Sequence, residues 1–127
     1  MSLEKEISLL KEEKAILQKG GGDAAIEKQV AMGKMTARER IAALLDKESF
    51  CEYDLFVKHE VHDFGMDKKE LPCDGVVTGT GTINGKPVCI YAQDFTVMGG
   101  SLGLMHARKI TKIMDHALKM QIPCIGI

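Results

Sequence analysis

Two β-rich runs, Asp74 to Ile83 and Lys86 to Ala92, are joined by Asn84-Gly85, and this junction constrains the fold more than any other feature of the chain. Asn-Gly suits the two positive φ angles of a type I′ turn, whose twist matches that of paired strands, so an antiparallel hairpin is predicted. Gly79 and Gly81 alternate with Thr78, Thr80 and Thr82. That pattern predicts a strand face packed closely against another backbone, while Pro87 fits an edge position or the first residue of its strand. After a glycine-rich bend, Leu104 to Met120 carries apolar residues at Ala107, Ile110, Ile113, Met114, Ala117 and Leu118, the spacing of an amphipathic helix. Pro123 to Ile127 begins a short apolar strand. Strand, helix and strand in that order predict a right-handed parallel crossover and an α/β fold.

The bend between strand and helix, Gln93-Asp94-Phe95-Thr96-Val97-Met98-Gly99-Gly100-Ser101-Leu102-Gly103, is the first candidate site. Its glycines let main-chain N–H groups approach a ligand closely. Ser101 is expected to cap the helix, whose first free N–H groups would face the same cleft and suit an anionic or carbonyl oxygen. The spacing matches neither the dinucleotide fingerprint nor a phosphate loop ending in Gly-Lys-Ser/Thr, so a plain strand-to-helix turn stays open as the alternative. His106, in the first turn of that helix, is either an ordinary polar residue or a ligand contact.

Toward the N-terminus, Ser2 to Lys19 has a helical stripe at Leu3, Ile7, Leu10, Ile16 and Leu17 among many Glu and Lys, as expected of a helix that lies on something. Gly20-Gly21-Gly22 reads as a joint separating this arm, residues 1–22, from a body, residues 23–127. A second helix is predicted over Asp23 to Met32. Thr36-Ala37-Arg38-Glu39 is a capping box, so a third helix should run from about Ala37 to Asp46 with an apolar stripe of Ile41, Ala42, Leu44 and Leu45. Arg38 and Arg40 would then form a solvated or structural face, or meet an anionic ligand or a partner chain. Phe50 to Val57 reads as a strand weakened by Asp54, and Phe64 to Pro72 as a loop. His59 and His62 stand three apart without a third ligand nearby, so no metal is expected there.

Composition narrows the function classes. Net charge is −1, with 17 basic and 18 acidic residues well mixed, which offers no basic face for nucleic acid and no polybasic membrane anchor. No apolar stretch approaches the roughly 20 residues of a membrane span, and the charged N-terminus is unlike a signal peptide, so a cytoplasmic chain is expected. Cys51, Cys73, Cys89 and Cys124 lack a Cys-x-x-Cys pair, which argues against a zinc ribbon or a redox motif.

Three collinear motifs resemble the carboxyltransferase subunits of biotin-dependent enzymes: Gly33-Lys34-Met35-Thr36-Ala37-Arg38-Glu39-Arg40-Ile41, Asp74-Gly75-Val76-Val77-Thr78-Gly79, and Gln93 through Ser101. The chain is similar to the branch of propionyl-CoA carboxylase β chains and methylmalonyl-CoA decarboxylase α subunits, and lacks the zinc ribbon of bacterial acetyl-CoA carboxylase β subunits. The resemblance implies a truncated crotonase-like domain bearing an N-terminal helical arm and a β-hairpin. It implies transfer of a carboxyl group between carboxybiotin and the α-carbon of an acyl-CoA through an enolate. Biotin would be carried on a separate domain or subunit, with the biotin carrier protein and further carboxyltransferase subunits of a homo-oligomer as partners. Gln93, Phe95, Gly99, Gly100 and Ser101 are the implied acyl-CoA contacts. No catalytic side chain is implied, because the family's Ser-Gly-Gly-Ala-Arg oxyanion-hole segment would follow Ile127. The alternative is a stand-alone CoA-binding or assembly module without catalysis.

Overall fold

A computed structural model describes residues 2–127. Four helices, α1 (Leu3–Leu17), α2 (Asp23–Ala31), α3 (Ala37–Leu44) and α4 (Leu104–Met120), accompany four strands, β1 (Cys51–Tyr53), β2 (Val76–Ile83), β3 (Lys86–Gln93) and β4 (Cys124–Gly126). The strands form one sheet in the order β1-β2-β3-β4, antiparallel at the first two pairings and parallel between β3 and β4. The hairpin forms in the predicted register, Ile83 opposite Lys86, with positive φ at both Asn84 and Gly85. Asp46 locks it from outside: its carboxylate accepts from the Thr82 hydroxyl at 2.6 Å and from the N–H groups of Asn84 and Gly85 at 2.9 and 2.8 Å. Those bonds favour the ionised form and lower the Asp46 pKa.

Strand alternation divides the core into two layers. On one face Val77, Val88, Ile90 and Ala92 pack with Ala37, Ile41 and Leu45. On the other, Cys89 packs with Ile113 and Ala117. Thus α3 and α4 cover opposite sides of the hairpin. Gly79 and Gly81 lie on the α3 side, where a Cβ at Gly79 would overlap the Cys51 carbonyl oxygen and one at Gly81 would sit 2.5 Å from Leu45. The predicted close approach is therefore to a backbone at Gly79 and to a side chain at Gly81.

The Thr36–Glu39 capping box forms reciprocally, through Glu39 N–H to Thr36 Oγ1 at 3.2 Å and Thr36 N–H to Glu39 Oε2 at 2.8 Å. Buried residues of α3 and its cap fall at Ala37, Ile41 and Leu45; Ala42 and Leu44 are exposed, so the stripe is narrower than the sequence suggests. Arg38 is structural. It forks onto both oxygens of Glu52 at 2.5 and 2.8 Å and donates to the Gln18 carbonyl at 2.9 Å, tying the end of α1 to β1. Burial pulls the Arg38 pKa down, but the hydrogen bonds and charge of Glu52 outweigh it and leave the guanidinium more firmly protonated than usual.

Three expectations change. The strand predicted over Phe50 to Val57 is only Cys51–Tyr53, because Asp54 turns to a φ of 58° and breaks the extended path. The stripe of α1 buries Leu17 alone, while Leu3, Ile7, Leu10 and Ile16 face solvent within this chain. The joint at Gly20-Gly21-Gly22 is also a contact: Gly21 N–H donates to Thr96 Oγ1 at 3.0 Å, and a Cβ there would overlap the Thr96 carbonyl oxygen.

Gly79→Ala is expected to lower stability by about 1–3 kcal/mol through overpacking against β1. Urea denaturation measures it; a loss below about 0.5 kcal/mol, the range of ordinary surface changes, would mean that β1 is free to move aside.

Candidate functional site

The bend after β3 is held by its own polar groups. Asp94 accepts from the Thr96 N–H at 2.9 Å and the Thr96 hydroxyl at 2.6 Å, and its own N–H donates to the Gly75 carbonyl at 2.8 Å. A short turn over Met98–Gly100 follows, with positive φ at Met98, Gly99 and Gly100. Ser101 does not cap the helix. Its hydroxyl donates to the Met98 carbonyl at 2.6 Å, and the cap position is Gly103. The missing cap comes from 32 residues upstream: Asp74 Oδ2 accepts from His106 N–H at 2.8 Å. The helix start is thus already occupied by a carboxylate, which weakens the case for an anion bound there.

His106 is fully buried (0% exposed). A carbonyl can only accept, so the 2.9 Å contact with the Asp74 oxygen places the imidazole proton on Nδ1, leaving Nε2 to face Gln93 Nε2 at 3.5 Å. Burial lowers the His106 pKa, with the Asp74 carbonyl and carboxylate opposing. One helical turn on, Lys109 is 3% exposed and donates from Nζ to the carbonyls of Cys73 and Val76 at 2.8 and 2.5 Å. Burial likewise lowers the Lys109 pKa, partly offset by Cys73, Glu52 and Asp54. Burial also raises the Cys73 pKa, which makes that thiol a poor nucleophile; its Sγ donates to the Leu55 carbonyl at 3.2 Å.

Between this bend and the loop over residues 59–71 lies a cleft of about 190 Å³. Val97, Met98, Ser101, Leu102 and Leu104 face Val61, Met66 and Leu71 across it, with Asp74 and Gly75 also at its wall. Of the residues expected to touch a ligand, Ser101 lines this cleft. Gln93 instead adjoins His106. Gly100 packs on the Phe95 ring, a side chain at Gly99 would enter open space, and Phe95 borders a different hollow, beside α2 and α3. His59 serves the loop: it accepts from Val61 N–H at Nδ1 (3.3 Å), which leaves Nε2 to donate to the Lys69 carbonyl at 2.8 Å. Among the described residues no cluster of His, Cys, Asp and Glu has the makings of a metal site. Nor is any helix long and apolar enough to cross a membrane.

The bend thus runs from the end of β3 to the start of α4 along an apolar cleft. The family of the Carboxyl transferase domain matches residues 28–127. The chain belongs to that family. The α subunit of methylmalonyl-CoA decarboxylase from Veillonella parvula is 56% identical over 126 residues, 99% of this chain and 25% of that protein. The mitochondrial propionyl-CoA carboxylase β chain of Homo sapiens is 56% identical over 110 residues, 85% of this chain and 20% of that protein. A solved structure of transcarboxylase 12S, a hexamer assembly with methylmalonyl-CoA and methylmalonic acid bound, matches with a TM-score of 0.97 at 46% identity, covering 99% of this chain and 25% of that one. This carboxyltransferase-family chain therefore spans about a quarter of the length of such relatives, and its α/β fold is the crotonase-like one expected from the sequence.

Sequence reading missed Asp74 and Lys109, whose partners are backbone groups more than 30 residues away. The only local signal was two polar residues, His106 and Lys109, on the side of a helix that also carries Ile113 and Ala117.

The neutral buried imidazole sets a pH dependence. The unfolded chain takes up a proton near 6.5 and the folded chain only at lower pH, so the stability due to neutral His106 is complete above 6.5 and is lost as pH falls below it. His106→Gln should flatten the decline in urea stability between about pH 6.5 and 5, the window in which an unperturbed histidine titrates. Equal slopes for the two proteins would show that His106 titrates normally when folded.

Proposed function

We propose that this chain forms the N-terminal part of a biotin-dependent acyl-CoA carboxyltransferase. The observation that carries the reading is the apolar cleft beside the glycine bend in a fold matching transcarboxylase 12S along 99% of this chain. Loss of a carboxyl group from the α-carbon leaves its bonding pair as an enolate, with negative charge on the thioester oxygen. Preorganised N–H donors stabilise such an oxygen without a side-chain nucleophile. Apolar Val97 and Leu102 on the cleft wall suit the acyl part of such a thioester. The rigid Asp94–Thr96 turn and the Asp74–His106 link hold that wall in place.

In this reading Ser101 lines the cleft, Gly99 and Gly100 form the turn that leads to it, Gln93 adjoins His106, and Phe95 acts on the neighbouring side. Biotin supplies the carboxyl acceptor or donor when a carrier brings it. The cleft lining suits a thioester end and has nothing particular to a biotin ring, so the carrier protein and homologous subunits are partners suggested by the family alone.

The full-length protein bearing this sequence is expected to exchange carboxyl groups between a short acyl-CoA and biotin, measured by chromatography of propionyl-CoA and methylmalonyl-CoA and abolished by avidin. Leu102→Trp should raise KM for the acyl-CoA about tenfold by filling the cleft, the usual effect of losing roughly 1.4 kcal/mol of binding. CoA binding without any biotin-dependent turnover would instead mark a non-catalytic CoA-binding module.

A further inference from the structure

The tip of the hairpin holds a chemically reactive pair. Asn84 is the only asparagine in the sequence, and a glycine follows it. The backbone nitrogen after an asparagine can attack that residue's side-chain amide carbon, and glycine, lacking a Cβ, leaves the nitrogen unshielded. Both residues of the turn are exposed to solvent. The tip lies at the far end of β2 from Gly75, which lines the apolar cleft, so its chemistry is independent of what that cleft binds.

Asp46 opposes that attack in two ways. The Gly85 nitrogen must lose its proton before it can react, and its N–H is held by Asp46 Oδ2 at 2.8 Å while Oδ1 holds the Asn84 N–H at 2.9 Å. A negative charge against an N–H disfavours loss of its proton, and the hydrogen bonds from Thr82, Gly85 and Asn84 keep the carboxyl ionised. The same two bonds also fix the backbone of the turn, so the nitrogen reaches the amide carbon only after local opening. The carboxylate is itself firmly placed. Asp46 N–H donates to the Thr82 carbonyl at 2.8 Å, and the Ser49 hydroxyl donates to the Asp46 carbonyl at 2.7 Å while accepting from Thr82 N–H at 3.1 Å.

We propose that Asn84 is a site of spontaneous deamidation whose rate is restrained by the Asp46 clamp. The Gly85 nitrogen gives its proton to a solvent base and bonds to Asn84 Cγ; the Cγ–Nδ2 bond breaks, and the nitrogen leaves as ammonia after taking a proton from water. Water then opens the resulting succinimide at either carbonyl, giving aspartate or isoaspartate, with no change of oxidation state. Isoaspartate runs the main chain through its side chain and adds one carbon to it. A two-residue turn that sets Ile83 opposite Lys86 has no room for that atom. Aspartate instead puts a second carboxylate on the residue whose N–H Asp46 holds. Either product loosens the tip from the segment that follows α3.

The test is incubation of the full-length protein at mildly alkaline pH and body temperature, followed by mass spectrometry of the peptide that carries Asn84. The mass reads replacement of the amide NH2 by OH, and chromatography separates aspartate from isoaspartate. Asp46→Ala should convert about tenfold faster than the unaltered protein, the usual effect of losing a hydrogen bond to a charged group, and Asp46→Asn, which keeps an oxygen acceptor without the charge, should fall between them. Slow hydrogen exchange at Ile113 in the variants shows that only the tip has opened. Equal rates in all three proteins would overturn the proposal. Where Asp46→Ala unfolds the whole chain, a comparison without any variant decides: the unaltered protein should convert at least about tenfold more slowly in native buffer than in urea, as a charged hydrogen bond that must first open requires. Equal rates in buffer and urea, or no conversion at Asn84 in urea, would overturn it.

Discussion

The ammonium of Lys109 ties α4 to the turn that enters β2, and the start of α4 depends on that turn. It reaches the carbonyls of Cys73 and Val76, at the entry to β2, from the middle of the buried side of α4. Those carbonyls flank a turn in which Cys73, Asp74 and Gly75 all have positive φ, and no regular element pairs it. Left without a donor, they would be costly to bury; with one, they fix the turn. The turn in turn presents Asp74 to the start of α4 and its carbonyl to His106. Thus a single helix face both receives its cap and supplies the donors that make the capping turn possible. The desolvation cost of burying a cation is accepted because backbone dipoles surround it.

This arrangement explains where the sequence was legible. The hairpin turn and the capping box depend on side chains within a few residues of the backbone groups they serve, and both formed as the residues predict. The motifs around Thr36, Asp74 and Gln93 likewise marked the family and, through it, the fold. The face of α4 was legible in part. Hydrophobic periodicity selects Ala107, Ile110, Ile113, Met114, Ala117 and Leu118; Ile113 and Ala117 are buried as expected, but Leu118 is 78% exposed and the buried side also takes in His106 and Lys109. Periodicity counts transfer free energy and has no access to carbonyls that only the folded turn brings into reach. The supposed Ser101 cap failed for the same reason, since Asp74 had already answered the need from a distant position.

The exposed stripe of α1 belongs to another category. Its pattern was legible, and the helix formed with Ser2 at its cap and Leu17 buried, but among the described residues nothing covers Leu3, Ile7 or Leu10. A groove lined by Leu10, Arg38, Phe50, Leu55 and Phe56 runs beside it. Amphipathic helices gain most of their stability from packing. The arm is consequently held here by its end, where Arg38 grips the Gln18 carbonyl and Gly21 lies against Thr96.

That grip links the arm to the candidate site. Thr96 is the residue through which Asp94 fixes the bend, and the same hydroxyl that donates to Asp94 accepts from Gly21. Phe95, one residue earlier, borders the hollow beside α2 and α3, while Val97, one residue later, lines the apolar cleft. Three consecutive residues therefore face three different neighbours from one stretch of rigid backbone. A displacement of the arm at Gly21 is a displacement of Thr96, and Thr96 cannot shift without moving the walls on both sides. The glycines at 20 and 21 allow this because any side chain there would separate the arm from the bend. Their smallness thus serves contact at least as much as flexibility.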